Sequence, residues 1–197
     1  NGEVRCVAVQ PDGKILVGGN FTTLQPNGAV SPTGRQNIAR LEVNGSLDAG
    51  FDPKTNGTVA CLALQADGKI LLGGQFNSLQ PNGAVSSSER KFIARVNANG
   101  TLDTGFVLKP DAEVRAVAVQ SDGRILLGGN FIEIYHSASV FPVGRRYLAR
   151  VSLDGVIDPG FDARANNSVN SVVVQGDGKI LIGGAFTIIR PTVWGDD

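Results

Sequence analysis

One stretch limits what this chain can become more than any other. Val9-Gln10-Pro11-Asp12-Gly13-Lys14-Ile15-Leu16-Val17-Gly18-Gly19-Asn20-Phe21 returns three times, so that Gln10, Gln65, Gln120 and Gln175 stand 55 residues apart. The copies read QADGKILLGGQF, QSDGRILLGGNF and QGDGKILIGGAF. A unit copied in tandem at this period predicts a propeller or a solenoid, in which each copy buries its apolar faces against its neighbours.

Each copy opens on alternating small and branched residues, as in Val59-Ala60-Cys61-Leu62-Ala63-Leu64, which is a strand by period and by residue type. Asp12-Gly13, Asp67-Gly68, Asp122-Gly123 and Asp177-Gly178 then fit a three-residue hairpin loop, a type I turn followed by a left-handed glycine. That loop sets Val9 opposite Ile15, Ala8 opposite Leu16 and Val7 opposite Val17. Both faces of the hairpin are then apolar, and both need cover. The paired glycines at 18–19, 73–74, 128–129 and 183–184 predict a bulge or a close backbone approach. Phe21, Phe76, Phe131 and Phe186 follow, one per copy, and are expected to pack between units.

After sixteen residues a second hairpin begins at Ile38-Ala39-Arg40, Ile93-Ala94-Arg95 or Leu148-Ala149-Arg150 and turns at Asn44-Gly45, Asn99-Gly100 or Asp154-Gly155. A three-residue loop there puts Leu41 opposite Leu47 and pairs Arg40 with Asp48, Arg95 with Asp103 and Arg150 with Asp158. Such cross-strand charge pairs support a sheet by about 0.2–1 kcal/mol each. One carboxylate per repeat at the same depth belongs to architecture; a catalytic aspartate has no reason to appear three times.

Two hairpins per unit predict an all-β fold, a β-propeller of four-stranded blades of about 55 residues, three complete and one partial. The expected blades are 1–55, 56–110, 111–165 and 166–197. With 26 glycines and 9 prolines the composition agrees, being rich in turns and poor in helix. Three closures are open: a small four-bladed ring, an arc completed by an identical chain, or a piece of a larger propeller. The third is favoured, because the chain lacks an initiating methionine and stops within its fourth repeat.

These motifs resemble the delta-60 repeat family, whose units run V-AVQ-DGKILVGG-F, then IARL, then DGSLD-F. The likeness covers nearly the whole chain. It implies a tandem β-propeller in large secreted or cell-surface bacterial proteins, without an assigned catalytic activity. The double glycine is also similar to that of kelch propellers, whose accompanying tyrosine and tryptophan are absent here.

Up-and-down strands send the Asp-Gly and Asn-Gly turns to one rim and the sixteen-residue segments and connectors to the other, which is the candidate functional face. Arg35, Arg90 and Arg145 lie in register there, with Lys91 and Arg146 beside two of them. Three guanidinium groups suit an anionic glycan or an acidic protein, or else anchor their own loops to carbonyls. The third repeat departs from the others over Ile134 to Phe141, which adds Tyr135 and His136 to the candidates. His136 is the only histidine, so a histidine triad or repeated histidine metal site is not expected, and neither is a cofactor.

Cys6 and Cys61 share a slot held by Ala116 and Ser171 elsewhere and are expected as free thiols. Eighteen basic residues balance eighteen acidic ones, leaving no field to draw nucleic acid or an anionic membrane, and no apolar run is long enough for a membrane span. The leading expectation is a non-enzymatic extracellular module that engages a protein or glycan through one rim. A polysaccharide hydrolase or lyase is a rival, with Glu3 and Glu113 beside Arg5 and Arg115 near the axis as its only nominees. An architectural filament or spacer unit is the third reading.

Overall fold

The structure is a computed structural model and describes residues 1–136 and 141–190. The first repeat forms β1 (Glu3–Val9), β2 (Ile15–Asn20), β3 (Thr23–Leu24), β4 (Thr33–Gly34) and β5 (Ile38–Leu41). The second forms β6 (Thr58–Leu64), β7 (Ile70–Gln75), β8 (Ser78–Leu79), β9 (Ser88–Glu89) and β10 (Ile93–Val96). The third begins with β11 (Leu108–Pro110) and continues through β12 (Val114–Val119), β13 (Ile125–Gly129), β14 (Glu133–His136), β15 (Val143–Gly144) and β16 (Leu148–Val151). The fourth contributes β17 (Val169–Val174) and β18 (Ile180–Gly184). No helix of the described residues is long and apolar enough to cross a membrane.

Each full repeat makes a three-stranded antiparallel sheet in the order β1-β2-β5, β6-β7-β10 or β12-β13-β16, with a small second sheet beside it, β3-β4, β8-β9 or β11-β14-β15. The expected fourth strand is reduced to a single bridge, Leu41 to Leu47, Val96 to Leu102 and Val151 to Ile157. The inner hairpin has the register its turn demands, with Val9 opposite Ile15, Ala8 opposite Leu16 and Val7 opposite Val17. Gly13, Gly68, Gly123 and Gly178 close the turns at φ of 81° to 84°.

The two glycines have different jobs. The inner strand bulges between Val4 and Cys6, Val59 and Cys61, Val114 and Ala116, and Val169 and Ser171. A Cβ on Gly74 would stand 2.0 Å from the Thr58 carbonyl oxygen, so the second glycine lets the bulged backbone close. A Cβ on Gly18 or Gly73 would stand 2.8 Å from Val59 Cγ1 or 2.9 Å from Val114 Cγ1. The first glycine is therefore a notch that receives a valine of the next blade.

Along β1 and β2, Cys6, Ala8 and Leu16 face the following blade, where they pack with Val59, Leu62, Ile70 and Leu72. Cys61, Ala63 and Leu71 meet Val114, Val117, Ile125 and Leu127 in the same way, and Ala116, Ala118 and Leu126 meet Val169, Val172, Ile180 and Ile182. Small residues on the inner strand let the sheets approach closely at the centre. Phe76 and Phe131 are buried in these layers and Phe186 is half-buried in the last of them, whereas Phe21 is buried among residues of its own repeat, Val17, Ala39 and Leu24. Cys6 and Cys61 are free, and burial pushes the Cys6 thiol up to about 12.

The outer hairpins carry the paired charges. Arg40 Nε lies 2.9 Å from Asp48 Oδ2, and the Arg95–Asp103 and Arg150–Asp158 pairs both span 2.8 Å. Lys14 and Lys69 reach the same carboxylates at 2.9 and 3.0 Å. Each guanidinium also covers a ring of its own repeat, Phe51, Phe106 or Phe161, 4.4 to 4.6 Å from the centroid. Burial pushes the carboxyls of Asp48 and Asp103 up, but the lysine and arginine bonds outweigh it and hold both below the ordinary carboxylate value.

Candidate functional site

The sixteen-residue segments do not stand out from the rim as free loops, which corrects the sequence expectation. They leave it at β3 and β8 and run back along the outer edge, so that Asn27 N donates to Gly45 O at 3.1 Å and Asn27 Nδ2 to Asn44 O at 3.0 Å. Asn82 Nδ2 donates to Asn99 O at 2.9 Å and to Gly50 O. The physical reason is the Pro26-Asn27-Gly28 turn, closed by Ala29 N to Pro26 O and Gln25 Nε2 to Ala29 O, which aims the asparagine at the Asn-Gly turn of the opposite rim. Val30 and Val85 are left fully exposed on this outer edge.

What remains on the rim is a row of brackets and clefts. Asn56 Oδ1 accepts from Asn77 N (2.8 Å) and Ser78 N (3.0 Å). Asn1, Asp111 and Asn166 hold the matching amides of their own repeats in the same way. These four positions are 55 residues apart and tie each connector to the short hairpin beside it. The third repeat strengthens the tie into full strand pairing, Leu108 to His136, Lys109 to Tyr135 and Pro110 to Ile134.

Arg35 and Arg145 are buried and Arg90 is half-buried, behind the surface of the rim. Their guanidinium groups donate to the carbonyls of Gly34 (2.8 Å), Glu89 (2.7 Å) and Gly144 (2.7 Å), and Arg145 also reaches Asp158 O at 3.2 Å. Each fixes the loop that carries it. The residue after each arginine, Gln36, Lys91 or Arg146, is exposed instead, and in the second and third repeats the following connector brings a second cation into the same cleft, Lys109 beside Lys91 and Arg164 beside Arg146.

Between the third and fourth repeats this makes a cleft of about 440 Å³ lined by Arg146, Asp162, Arg164, Asn166 and Arg190. Asp162 neutralises one charge, at 3.0 Å from Arg164 Nε. Between the second and third repeats a cleft of about 430 Å³ holds Lys91, Lys109, Asp111 and Tyr135, with Phe92 and Pro110 as its apolar wall. Tyr135 thus belongs to a cleft, whereas His136 is half-buried at the end of β14. Ser137 to Val140 and residues 191–197 lie outside the described residues; Phe141 is exposed.

The matching cations at 54, 109 and 164 escaped the sequence reading because the connectors otherwise differ; their spacing was the available signal. Near the axis Glu3 is paired with Arg5 (3.1 Å), and Glu113 with Arg115 (3.0 Å), which also bonds Asn170 of the next repeat. Among the described residues no three His, Cys, Asp or Glu side chains are grouped to hold a metal ion.

The model of the DUF5122 β-propeller, a domain of unknown function, matches residues 10–51, 65–106, 120–161 and 175–190, well over half of the chain. The chain belongs to that family. DUF5122 is the delta-60 repeat family, and each matched segment starts at the glutamine of the inner hairpin. The WD40 β-propeller domain of Doa1 is similar in structure, with a TM-score of 0.57 at 16% identity, over 93% of this chain and 48% of that one. That likeness shows the fold of this DUF5122 chain, which spans about half the length of the WD40 chain. No curated protein matches it in sequence.

Proposed function

We propose that this DUF5122 propeller is a non-enzymatic binding and structural module of a secreted or cell-surface bacterial protein, and that its rim takes an anionic glycan. The reading rests on the paired cations of the inter-blade clefts, Arg146 with Arg164 and Arg190, and Lys91 with Lys109. Guanidinium groups bind carboxylate and sulfate through two parallel bonds, and the repeat sets two such clefts on one rim. Tyr135, Phe92 and Pro110 give the second cleft an apolar surface for a sugar face.

The test is calorimetric titration with sulfated or uronic-acid oligosaccharides against neutral ones of equal length. Binding confined to the acidic set, weakened by salt and reduced about tenfold by Arg146→Gln or Lys91→Gln, is the expected result. Equal affinity for neutral sugars, or none for acidic ones, would overturn it.

A further inference from the structure

The cleft between the second and third repeats holds two charges that the fold itself does not use. The connector cations elsewhere are neutralised by an aspartate two residues earlier: Asp52 Oδ2 stands 3.4 Å from Lys54 Nζ, and Asp162 Oδ2 stands 3.0 Å from Arg164 Nε. Val107 takes the place of that aspartate in the connector between the second and third repeats. The exposed ammonium of Lys109 therefore has no hydrogen bond or ion pair among the described residues. The second charge is on the bracket. Asn1, Asn56 and Asn166 tie their connectors with an amide oxygen, so the tie needs one acceptor and no charge. Asp111 supplies a carboxylate instead. Its Oδ1 accepts from Ile132 N at 2.9 Å and Glu133 N at 3.2 Å, and its Oδ2 has no partner among the described residues.

We propose that this cleft selects an unsulfated uronic-acid unit over a sulfated one, with Lys91 and Lys109 taking the carboxylate, Asp111 Oδ2 accepting from a ring hydroxyl and Tyr135 lying against the sugar. The proposal rests on the glycan reading above and narrows it to the substrate class of one cleft. A uronic acid brings a carboxylate for the lysines together with O–H donors for Asp111. Sulfation removes such a donor and sets a second negative charge before the aspartate. Asp111 thus favours one ligand and repels the other, and specificity is that difference of affinities. The cleft between the third and fourth repeats has no such barrier, because Asn166 stands in the bracket there and Asp162 is bound to Arg164.

The experiment is calorimetric titration of the chain carrying Arg146→Gln, which disables the neighbouring cleft, with a glucuronic-acid disaccharide and the same disaccharide sulfated on one ring hydroxyl. Asp111→Asn is added to it, the residue that three other brackets use, and hydrogen exchange at the Ile132 and Glu133 amides checks that the tie holds. The unsulfated disaccharide is expected to bind about fivefold more tightly, and Asp111→Asn to bring the two within about twofold by weakening the first and strengthening the second. Val107→Asp, which gives Lys109 the partner that Lys54 has, is expected to weaken both about threefold. Equal affinities that Asp111→Asn leaves unchanged, or tighter binding of the sulfated form, overturn the proposal while the rim reading stands. Loss of all binding with Arg146→Gln does the same, by placing the glycan in the other cleft. Binding of neither disaccharide to the unsubstituted chain overturns the rim reading and this proposal with it.

Discussion

Arg40 of the first repeat donates to the main-chain oxygen of Ala98 in the second, at 2.5 Å across 58 residues of sequence. Arg95 makes the same bond to Leu153 O in the third. Each arginine therefore joins two blades as well as pairing with its own aspartate. Loss of one partner of a buried pair leaves the other charge uncompensated, which costs about 3 kcal/mol or more. Arg95→Ala is expected near that figure, since Lys69 still attends Asp103. Arg150→Ala, whose side chain is 20% exposed, is expected to cost less. Urea midpoints of the two variants against the parent check the order.

The same aspartates make stability depend on acid. The folded-state pKa of Asp48, Asp103 and Asp158 lies below the ordinary value. Their contribution is then complete above the unfolded value of about 4 and is lost as the pH falls through the folded values. Urea midpoints are expected to hold from neutral pH down to about 5 and to drop below about 4. Asp103→Asn, less stable at neutral pH, is expected to show a shallower drop.

The two glycines of a repeat separate on substitution. An added methyl at Gly73 meets a thiol, Cys61 Sγ, and a valine methyl, which shift at a cost of about 1–3 kcal/mol. At Gly74 it meets the Thr58 carbonyl oxygen at 2.0 Å, which belongs to the bulge itself. Gly73→Ala is expected to fold with a lowered melting temperature and Gly74→Ala to fail. Soluble yield and thermal melts distinguish them.

The connector brackets tolerate one exchange only. Asn56→Ala frees the amides of Asn77 and Ser78 and is expected to cost about 1–2 kcal/mol. Asn56→Asp keeps the acceptor, as Asp111 does in the third repeat, and is expected to be close to neutral. Hydrogen exchange at those two amides reads the difference directly.

The repeat made the inner hairpin legible to the residue, since Asp-Gly fixes the turn and the turn fixes which side chains meet. The Arg40–Asp48 pairing followed from the same logic, but its burial beneath the next blade did not, because a repeat shows what each unit contains and not how units stack. The outer segments were misread for a related reason. Asn27 looks like any turn residue until Gly45 is beside it. Phe92 and Tyr147 sit at φ of 63° and 64° with nothing in their side chains to announce it, where the first repeat has Asn37, a residue type that visits this region readily; each is held by two main-chain bonds to the inner hairpin, as Phe92 is through Phe76 O and Gly74 N. On the rim the most regular charges in the sequence are the three arginines in register, Arg35, Arg90 and Arg145. The repeat uses them to hold its loops, and the outward cations are the less regular neighbours.

The valine that fills a notch always comes from the following blade, and so does the carbonyl that receives the arginine. A nascent chain leaving the ribosome therefore carries an unfinished blade at its trailing end until the next 55 residues emerge to complete it. Assembly has a direction, and a blade exchanged from elsewhere in such an array needs to match its surroundings at those two points to be accepted.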